Sequence, residues 1–283
     1  MKDLKTNDMR RAAVIGWPVS HSLSPLIHTT WAAREGVNAR YEAIAVEPSD
    51  EAFRRRINEL RAEGYAGVNV TIPHKQRALK FADRASAAAT AIGAANMLTF
   101  AADGVIAENS DAAAISAILK TLPAPPASAL VLGAGGAARG ILFALANGAR
   151  PPKIILANRT RARAEEIAAI ANADVIDWSQ RDDALDSADL VINATSLGMK
   201  GQPPLDLDDH RFKDGAVILD IVYSPLETPL LAAAKARGLR AIDGLEMLMR
   251  QAVPGYRAWL GNKAEVDADL RARLEAALKA RGS

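Results

Sequence analysis

The chain of 283 residues contains no cysteine, which excludes disulfides, thiolate metal sites and cysteine nucleophiles. Histidine is nearly as scarce. His21, His28, His74 and His210 show no pairing at metal-ligand spacing, so no metal site is expected. Aromatic residues make up only 5% of the chain, and no clustered basic–aromatic face emerges that would bind nucleic acid. Charge of one sign is lacking too: Lys+Arg 35 against Asp+Glu 33 leaves a formal +2, too weak a field to recruit a polyanion. No apolar run approaches the length of a membrane span, so no membrane partner is expected. The N-terminal MKDLKTNDMRRAAVIGWPVS begins polar and reaches only a short apolar run. That pattern argues against a secretory leader and leaves the cytoplasm as the expected location.

What is present is an ordinary globular composition, 49% hydrophobic and 24% charged, on a chain long enough for two modest domains or one large one. Short apolar runs alternate with helix-patterned segments, the signature of α/β architecture. Ala13–Ile15 reads as a first strand, Arg40–Val46 as a second and Ala66–Val70 as a third. Ser24-Pro25 reads as a helix cap followed by proline, with Gly36 as the stop. Ser49 or Asp50 opens a helix that buries Phe53, Ile57 and Leu60 and ends near Gly64. The alanine-rich stretch 85–95 is helix-favouring, and the proline-rich TLPAPPAS at 121–128 reads as a domain-boundary loop. Beyond it the rhythm restarts at Ala129–Leu132, Lys153–Ala157, Leu190–Asn193 and Val217–Asp220, which predicts a parallel, doubly wound sheet. The tail from Leu245 is helical in pattern, with Pro254-Gly255 expected to interrupt it.

The segment ALVLGAGGAARGILFAL carries the strongest mechanistic motif. Gly133, Gly135 and Ala138 occupy the three positions of G-x-G-x-x-G/A between an apolar strand and an apolar helix. The first glycine permits the tight turn, the second lets backbone approach a pyrophosphate, and the small third residue lets helix and strand pack closely. Helix N-terminal N–H groups then bind the phosphates. The bland alternative is a tight strand–helix turn, which the strand–turn–helix context weakens. At the end of the next strand, in KIILANRTRAR, Asn158 stands where an NAD site places an acid, and Arg159, Arg161 and Arg163 follow. A carboxylate there would repel a 2′-phosphate, whereas arginine binds it bidentately. Cations at a helix start are unfavourable without a ligand. NADP is therefore the expected cofactor.

Polar clusters in the first half are harder to explain by folding. Ser22 and Ser24 follow the first strand, Asn69 to Lys75 follow the third, and Asn96 and Asp111 lie in apolar surroundings. Singly, each has a bland reading as a cap, a turn residue or a surface lysine. Together the ordered set GWPVSHSLSPLIH, GVNVTIPHK, IGAAN, NSD, VLGAGGAAR, NRT, INATSLGM, DIVYSPLETPLL and DGLEMLMRQA resembles the shikimate dehydrogenase (shikimate/quinate dehydrogenase) family, from about residue 14 to about residue 261.

The resemblance implies two α/β domains. One is a discontinuous substrate-binding domain, 1–111 completed by the helices of 246–283; the other is a Rossmann-type doubly wound NADP domain, 112–245. It implies reversible NADPH-dependent reduction of 3-dehydroshikimate to shikimate, a step toward chorismate and the aromatic amino acids. By motif, Ser22 and Ser24, helped by Tyr223, would bind the substrate carboxylate. Thr71, Lys75, Asn96, Asp111 and Gln251 would read the ring hydroxyls, with Lys75 and Asp111 as the catalytic pair. The cofactor would meet Gly133, Ala134, Gly135, Gly136, Ala137, Asn158, Arg159, Thr160, Arg163, Ile221 and Gly244, with the NATSLGM segment on the nicotinamide side. Hydride transfer to or from a carbinol needs a group that moves the hydroxyl proton and stabilises developing oxyanion charge. A lysine beside an aspartate suits that task, polarising the oxygen and sharing the proton transfer.

Several positions depart from the family pattern. Thr29, Met97 and Ser110 replace other residues, the glycine common after the aspartate is missing from DAAAI, and Glu246 stands at the second glycine of DGLGML. Glu246 brings bulk and charge beside the cofactor loop; its bland reading is a helix start, where a glutamate is welcome. A paralogue with altered substrate use, such as quinate, is the alternative activity, and a non-catalytic NADP sensor the alternative class. The family includes monomers and dimers, so a homodimer is one assembly the resemblance allows.

Overall fold

The computed structural model describes residues 9–282. Residues 1–8, which carry most of the leader reading, and Ser283 lie outside the described residues. The described residues divide into two compact units, 9–110 with 249–274, and 111–248 with 275–282.

The first unit is built from β1 (Arg10–Gly16), α1 (Ser24–Glu35), β2 (Ala39–Ala45), α2 (Asp50–Ala62), β3 (Gly67–Val70), α3 (Lys75–Phe81), β4 (Arg84–Ala85), α4 (Ala87–Ile92), β5 (Met97–Ala101) and β6 (Gly104–Glu108). Its sheet runs β2-β1-β3-β5-β6-β4. β1 is parallel to both β2 and β3, whereas β5 is antiparallel to β3 and β6. The β5–β6 hairpin is absent from the strands read off the sequence; its signal is Asp103-Gly104, with Gly104 at φ 141°. Ser49 caps α2 by accepting the Ala52 N–H at 3.1 Å, and Phe53, Ile57 and Leu60 are buried as their spacing predicts. They join Ile15, Val68, Val70 and Leu98 in one core; each large apolar side chain so buried contributes roughly 1.5–3 kcal/mol.

Two local expectations are corrected. Ser24 does not cap α1: Leu23 holds that position, and the acceptor comes from Ser22, whose Oγ takes the Ser24 N–H at 3.2 Å. Gly36 stops the helix in the left-handed conformation, as expected.

The second unit follows with α5 (Ser110–Leu119), β7 (Ser128–Leu132), α6 (Gly136–Ala146), β8 (Lys153–Ala157), α7 (Arg161–Ala168), β9 (Asp174–Ile176), α8 (Arg181–Leu185), β10 (Leu190–Asn193), β11 (Val217–Asp220), α9 (Pro229–Ala236) and β12 (Arg240–Ile242). Its strands are all parallel, in the order β12-β11-β10-β7-β8-β9. Residues 190–193 and 217–220 are buried throughout, the continuous burial expected of strands covered by helices on both faces. The strand order reverses between β7 and β10, and ligands of such sheets bind at that switch, beyond the carboxyl ends of the strands.

Two helices complete the chain, α10 (Gly244–Trp259) and α11 (Ala268–Ala280). The second corrected expectation concerns α10, which runs unbroken through Pro254. Leu245, Met249, Ala252, Tyr256 and Trp259 recur at helical spacing and are all buried. Burying that stripe outweighs the one backbone hydrogen bond that Pro254 cannot donate. Trp259 lies against β3 so closely that a Cβ on Gly67 would sit 2.3 Å from its Nε1, and that Nε1 donates to Thr99 Oγ1 at 2.9 Å.

Candidate active site

In the first unit, the residues expected at the substrate gather where β1 and β3 end. Thr71 N donates to Ile15 O at 2.9 Å, and a Cβ on Gly16 would collide with Thr71 Cγ2 at 2.4 Å. Ser22 and Ser24 follow β1, whereas Thr71 and Lys75 follow β3, with Lys75 as the first residue of α3. Ala95 N donates to Lys75 O at 2.9 Å and Val70 N to Asn96 O at 2.8 Å. Lys75 and Asn96 are thereby fastened to the same edge. The backbone beside Lys75 is anchored by His74, whose buried ring meets Val46 O through Nε2 at 2.8 Å. Burial lowers the His74 pKa, which keeps the ring neutral.

Asn96 is held by its side chain as well. Its Oδ1 accepts the Ser110 N–H at 2.7 Å, and its Nδ2 donates to Ser110 Oγ at 3.0 Å. Ser110 therefore orients this amide and fixes the backbone one residue before Asp111. Behind Asn96 stands Asn69, whose Oδ1 accepts the Tyr41 hydroxyl at 2.6 Å while its Nδ2 reaches Asn96 O at 3.4 Å. Helix α10 closes on this point, since a Cβ on Gly255 would lie 3.3 Å from Asn69 Oδ1. Gln251 shares that helix face one turn earlier. Tyr41 and the supporting part of Asn69 were missed by sequence reasoning; a lone asparagine in the fully buried strand GVNV was the available signal. Ser24 is buried, yet neither its hydroxyl nor that of Thr71 has a hydrogen-bond partner among the described residues. Asp111, also buried, opens the second unit in the first turn of α5, where a carboxylate is favoured.

In the second unit, the expected cofactor residues all lie beyond the carboxyl ends of the strands. Gly133 follows β7 at φ 109°, and a Cβ there would sit 2.9 Å from the Ala194 carbonyl carbon. Only glycine satisfies both demands. Gly135 caps α6 without a side-chain hydrogen bond, and a Cβ on it would meet no protein atom within 4 Å. The N–H groups of Gly136, Ala137 and Ala138 have no acceptor within the helix, and Ala138 is fully buried against the sheet. This donor set fits a pyrophosphate.

After β8, Asn158 bonds Thr160 O through Nδ2 at 2.8 Å, shaping the turn into α7. Arg161 is committed to Glu165 and Asp177, both at 2.8 Å. Arg159 and Arg163 are exposed and have no side-chain partner among the described residues. Two uncommitted guanidinium groups with no acid in the turn fit a 2′-phosphate. Ile221 and Gly244 are brought together: Gly244 N donates to Val222 O at 3.2 Å, and its Cβ would lie 2.4 Å from Ile221 O. Glu246, half-buried in the first turn of α10, has its N–H on Asp243 O at 3.2 Å, a position where a carboxylate stabilises the helix. Tyr223 follows β11, and burial pushes its phenol pKa up, so it stays a donor at neutral pH. Among the described residues no group of three or more His, Asp or Glu is arranged to hold a metal, and no helix is long and apolar enough to cross a membrane.

The second sheet and its glycine turn are those of a Rossmann-type dinucleotide-binding unit. Family models narrow the class. Residues 14–98 match the shikimate dehydrogenase substrate binding domain, and residues 116–200 match shikimate / quinate 5-dehydrogenase. A relative from Methylocella silvestris named shikimate dehydrogenase (NADP(+)) is 47% identical over 94% of this chain and 96% of its own. Shikimate 5-dehydrogenase from Thermus thermophilus, solved with NADP(H) and shikimate, is 33% identical with a TM-score of 0.84, covering 96% of this chain and 99% of its own. Quinate dehydrogenase from Corynebacterium glutamicum, solved with NAD, is 28% identical with a TM-score of 0.87, covering 95% and 100%. The chain belongs to the shikimate dehydrogenase family.

Proposed function

We propose that the protein is a cytoplasmic NADP-dependent dehydrogenase that reversibly reduces 3-dehydroshikimate to shikimate, on the route to chorismate and the aromatic amino acids. The observation that carries the reading is near-full-length identity of 47% to a relative bearing that name. The uncommitted Arg159 and Arg163, with Asn158 in place of an acid, support NADP over NAD. On this reading the first unit is the substrate-binding domain and the second the NADP domain. A homodimer is one assembly the family resemblance allows, monomer being the other, and light scattering on the purified protein distinguishes them.

Ser22 and Ser24 bind the substrate carboxylate, with the Tyr223 phenol as a third donor. The Ser22 Oγ already accepts the Ser24 N–H, so its proton is left to point at an anion. Thr71, Asn96 and Gln251 read the ring hydroxyls, and the Ser110 clamp gives Asn96 one fixed amide orientation. When bound, the nicotinamide supplies the hydride that adds to the carbonyl carbon. Lys75 polarises the carbonyl oxygen and stabilises the charge that develops on it, and the proton reaches that oxygen through the Lys75–Asp111 pair.

Steady-state rates with shikimate and with quinate, each with NADP+ and NAD+, test the reading. Shikimate with NADP+ is expected to dominate; quinate with NAD+ dominating overturns both substrate and cofactor. The likeness to a quinate dehydrogenase makes quinate the second reading. A sensor would bind NADPH and turn over neither acid. Lys75→Ala is expected to cut kcat by about 10²–10⁴ while KM for shikimate moves only a few-fold. Turnover close to wild type would remove Lys75 from the chemistry.

A further inference from the structure

Asp220, the last residue of β11, is fully buried and none of its hydrogen-bond partners is a cation. Its Oδ1 accepts the Val222 N–H at 3.0 Å and Asn193 Nδ2 at 2.9 Å, and its Oδ2 accepts Thr228 Oγ1 at 2.8 Å. All three donors are neutral. A carboxylate taken out of water without a positive partner costs stability, and burial raises the Asp220 pKa against those three hydrogen bonds.

The network shows what the two carboxyl oxygens do. Asn193 ends the neighbouring strand, in register with Asp220. The same Asn193 Nδ2 also donates to Leu197 O at 3.1 Å. Its Oδ1 accepts the Thr195 N–H at 3.0 Å and the Thr195 hydroxyl at 2.7 Å, and Thr195 Oγ1 in turn accepts the Leu197 N–H at 3.0 Å. The turn after β10 is thereby closed on Asn193. On the other side, Thr228 both donates to Asp220 and caps α9 by accepting the Leu231 N–H at 3.3 Å. Asn193 and Thr228 are as buried as Asp220. One carboxylate thus ties the 193–197 turn to the 220–228 segment, and Val222, whose N–H it holds, carries the carbonyl that fastens Gly244.

We infer that Asp220 is a positioning residue for the cofactor: through Asn193, Val222 and Thr228 it fixes the two turns that present the 193–199 segment, Ile221 and Gly244 to the nicotinamide half of NADP. The inference rests on the cofactor reading proposed above. It requires an acceptor for three donors at this position rather than a charge as such. Asparagine retains most of that capacity: its Oδ1 keeps Val222 and Asn193, and its amide donates to the Thr228 oxygen. Leucine retains none.

NADPH fluorescence titration of the full chain without shikimate tests this, at a temperature where each variant is folded by circular dichroism. Asp220→Leu is expected to weaken NADPH binding about tenfold, the size of one or two lost positioning hydrogen bonds. Asp220→Asn is expected to restore affinity to within about threefold of wild type. Should Asp220→Leu not fold, Thr228→Val removes a single donor and is expected to weaken binding about threefold to fivefold. A folded Asp220→Leu, or failing that Thr228→Val, with wild-type NADPH affinity overturns the inference and leaves the cofactor reading intact. Wild-type protein that binds no NADPH overturns the cofactor reading and this inference with it.

Discussion

His28 shows how one side chain links packing to pH. It lies in α1 with its ring stacked on Tyr41, centroids 3.9 Å apart and planes 5° from parallel, and edge-on to Trp31 at 5.9 Å. Both ring nitrogens are buried without a hydrogen-bond partner. Full burial lowers its pKa from 6.5 to about 3, so the folded ring stays neutral where the unfolded one takes a proton. Because the folded pKa is depressed, the unfolded state binds more protons between those two values, and stability falls as pH drops through that window. At about pH 5 the loss from this residue is about 2 kcal/mol. His28→Phe, which keeps the stack on Tyr41, is therefore expected to narrow the gap in Tm between pH 7 and about pH 5 by roughly 3–4 °C. Thermal melts at the two pH values decide it; an unchanged gap would show that His28 does not carry the acid sensitivity. The same stack bears on function, because Tyr41 holds Asn69 and Asn69 backs Asn96.

At the scale of elements, legibility followed the range of the interactions. The β7–α6 turn was readable because its demands are local: a positive φ and a close approach at Gly133, an uncapped helix start at Gly135 and a small buried residue at Ala138. The α2 helix was readable for the same reason. The continuity of α10 was not, because the rule that proline breaks helices is local while the buried stripe that overrides it depends on what the helix packs against. The β5–β6 hairpin escaped because MLTFA and GVIAE are short strands with little polar–apolar alternation. The turn from β8 into α7 yields a prediction at this scale. Arg161 is held by Glu165 and Asp177, whereas Arg159 has no partner among the described residues. Replacing it should therefore cost cofactor affinity and little stability. Arg159→Ser is expected to raise KM for NADP+ by about tenfold or more, as loss of a charge-assisted contact implies, with KM for NAD+ unchanged. Equal changes for both cofactors would place Arg159 away from the 2′-phosphate.

For the whole molecule, the strand-end positions of the expected site residues were legible, but the buried contacts behind them were not. Ser22, Thr71, Gly133, Asn158 and Tyr223 each follow a strand, and strand–turn patterns are written in consecutive residues. Tyr41 with Asn69, and Asn193 with Asp220, are paired across strands, and nothing local in either partner names the other. Those buried pairs make ligand binding and folding stability parts of one equilibrium. A cofactor that engages only the folded second unit stabilises it by about 2.7 kcal/mol at one hundred times its dissociation constant. For a chain of 283 residues that is a rise in Tm of roughly 5 °C. The shift should depend on the 2′-phosphate, since Arg159 and Arg163 are the cations without partners among the described residues of the β8–α7 turn. Differential scanning fluorimetry with NADPH and NADH at matched concentration reads this directly. NADPH is expected to give the larger shift, and added salt to narrow the difference by screening exposed guanidinium groups. Equal shifts for the two nucleotides, insensitive to salt, would mean that selectivity for the phosphate is not built from these arginines.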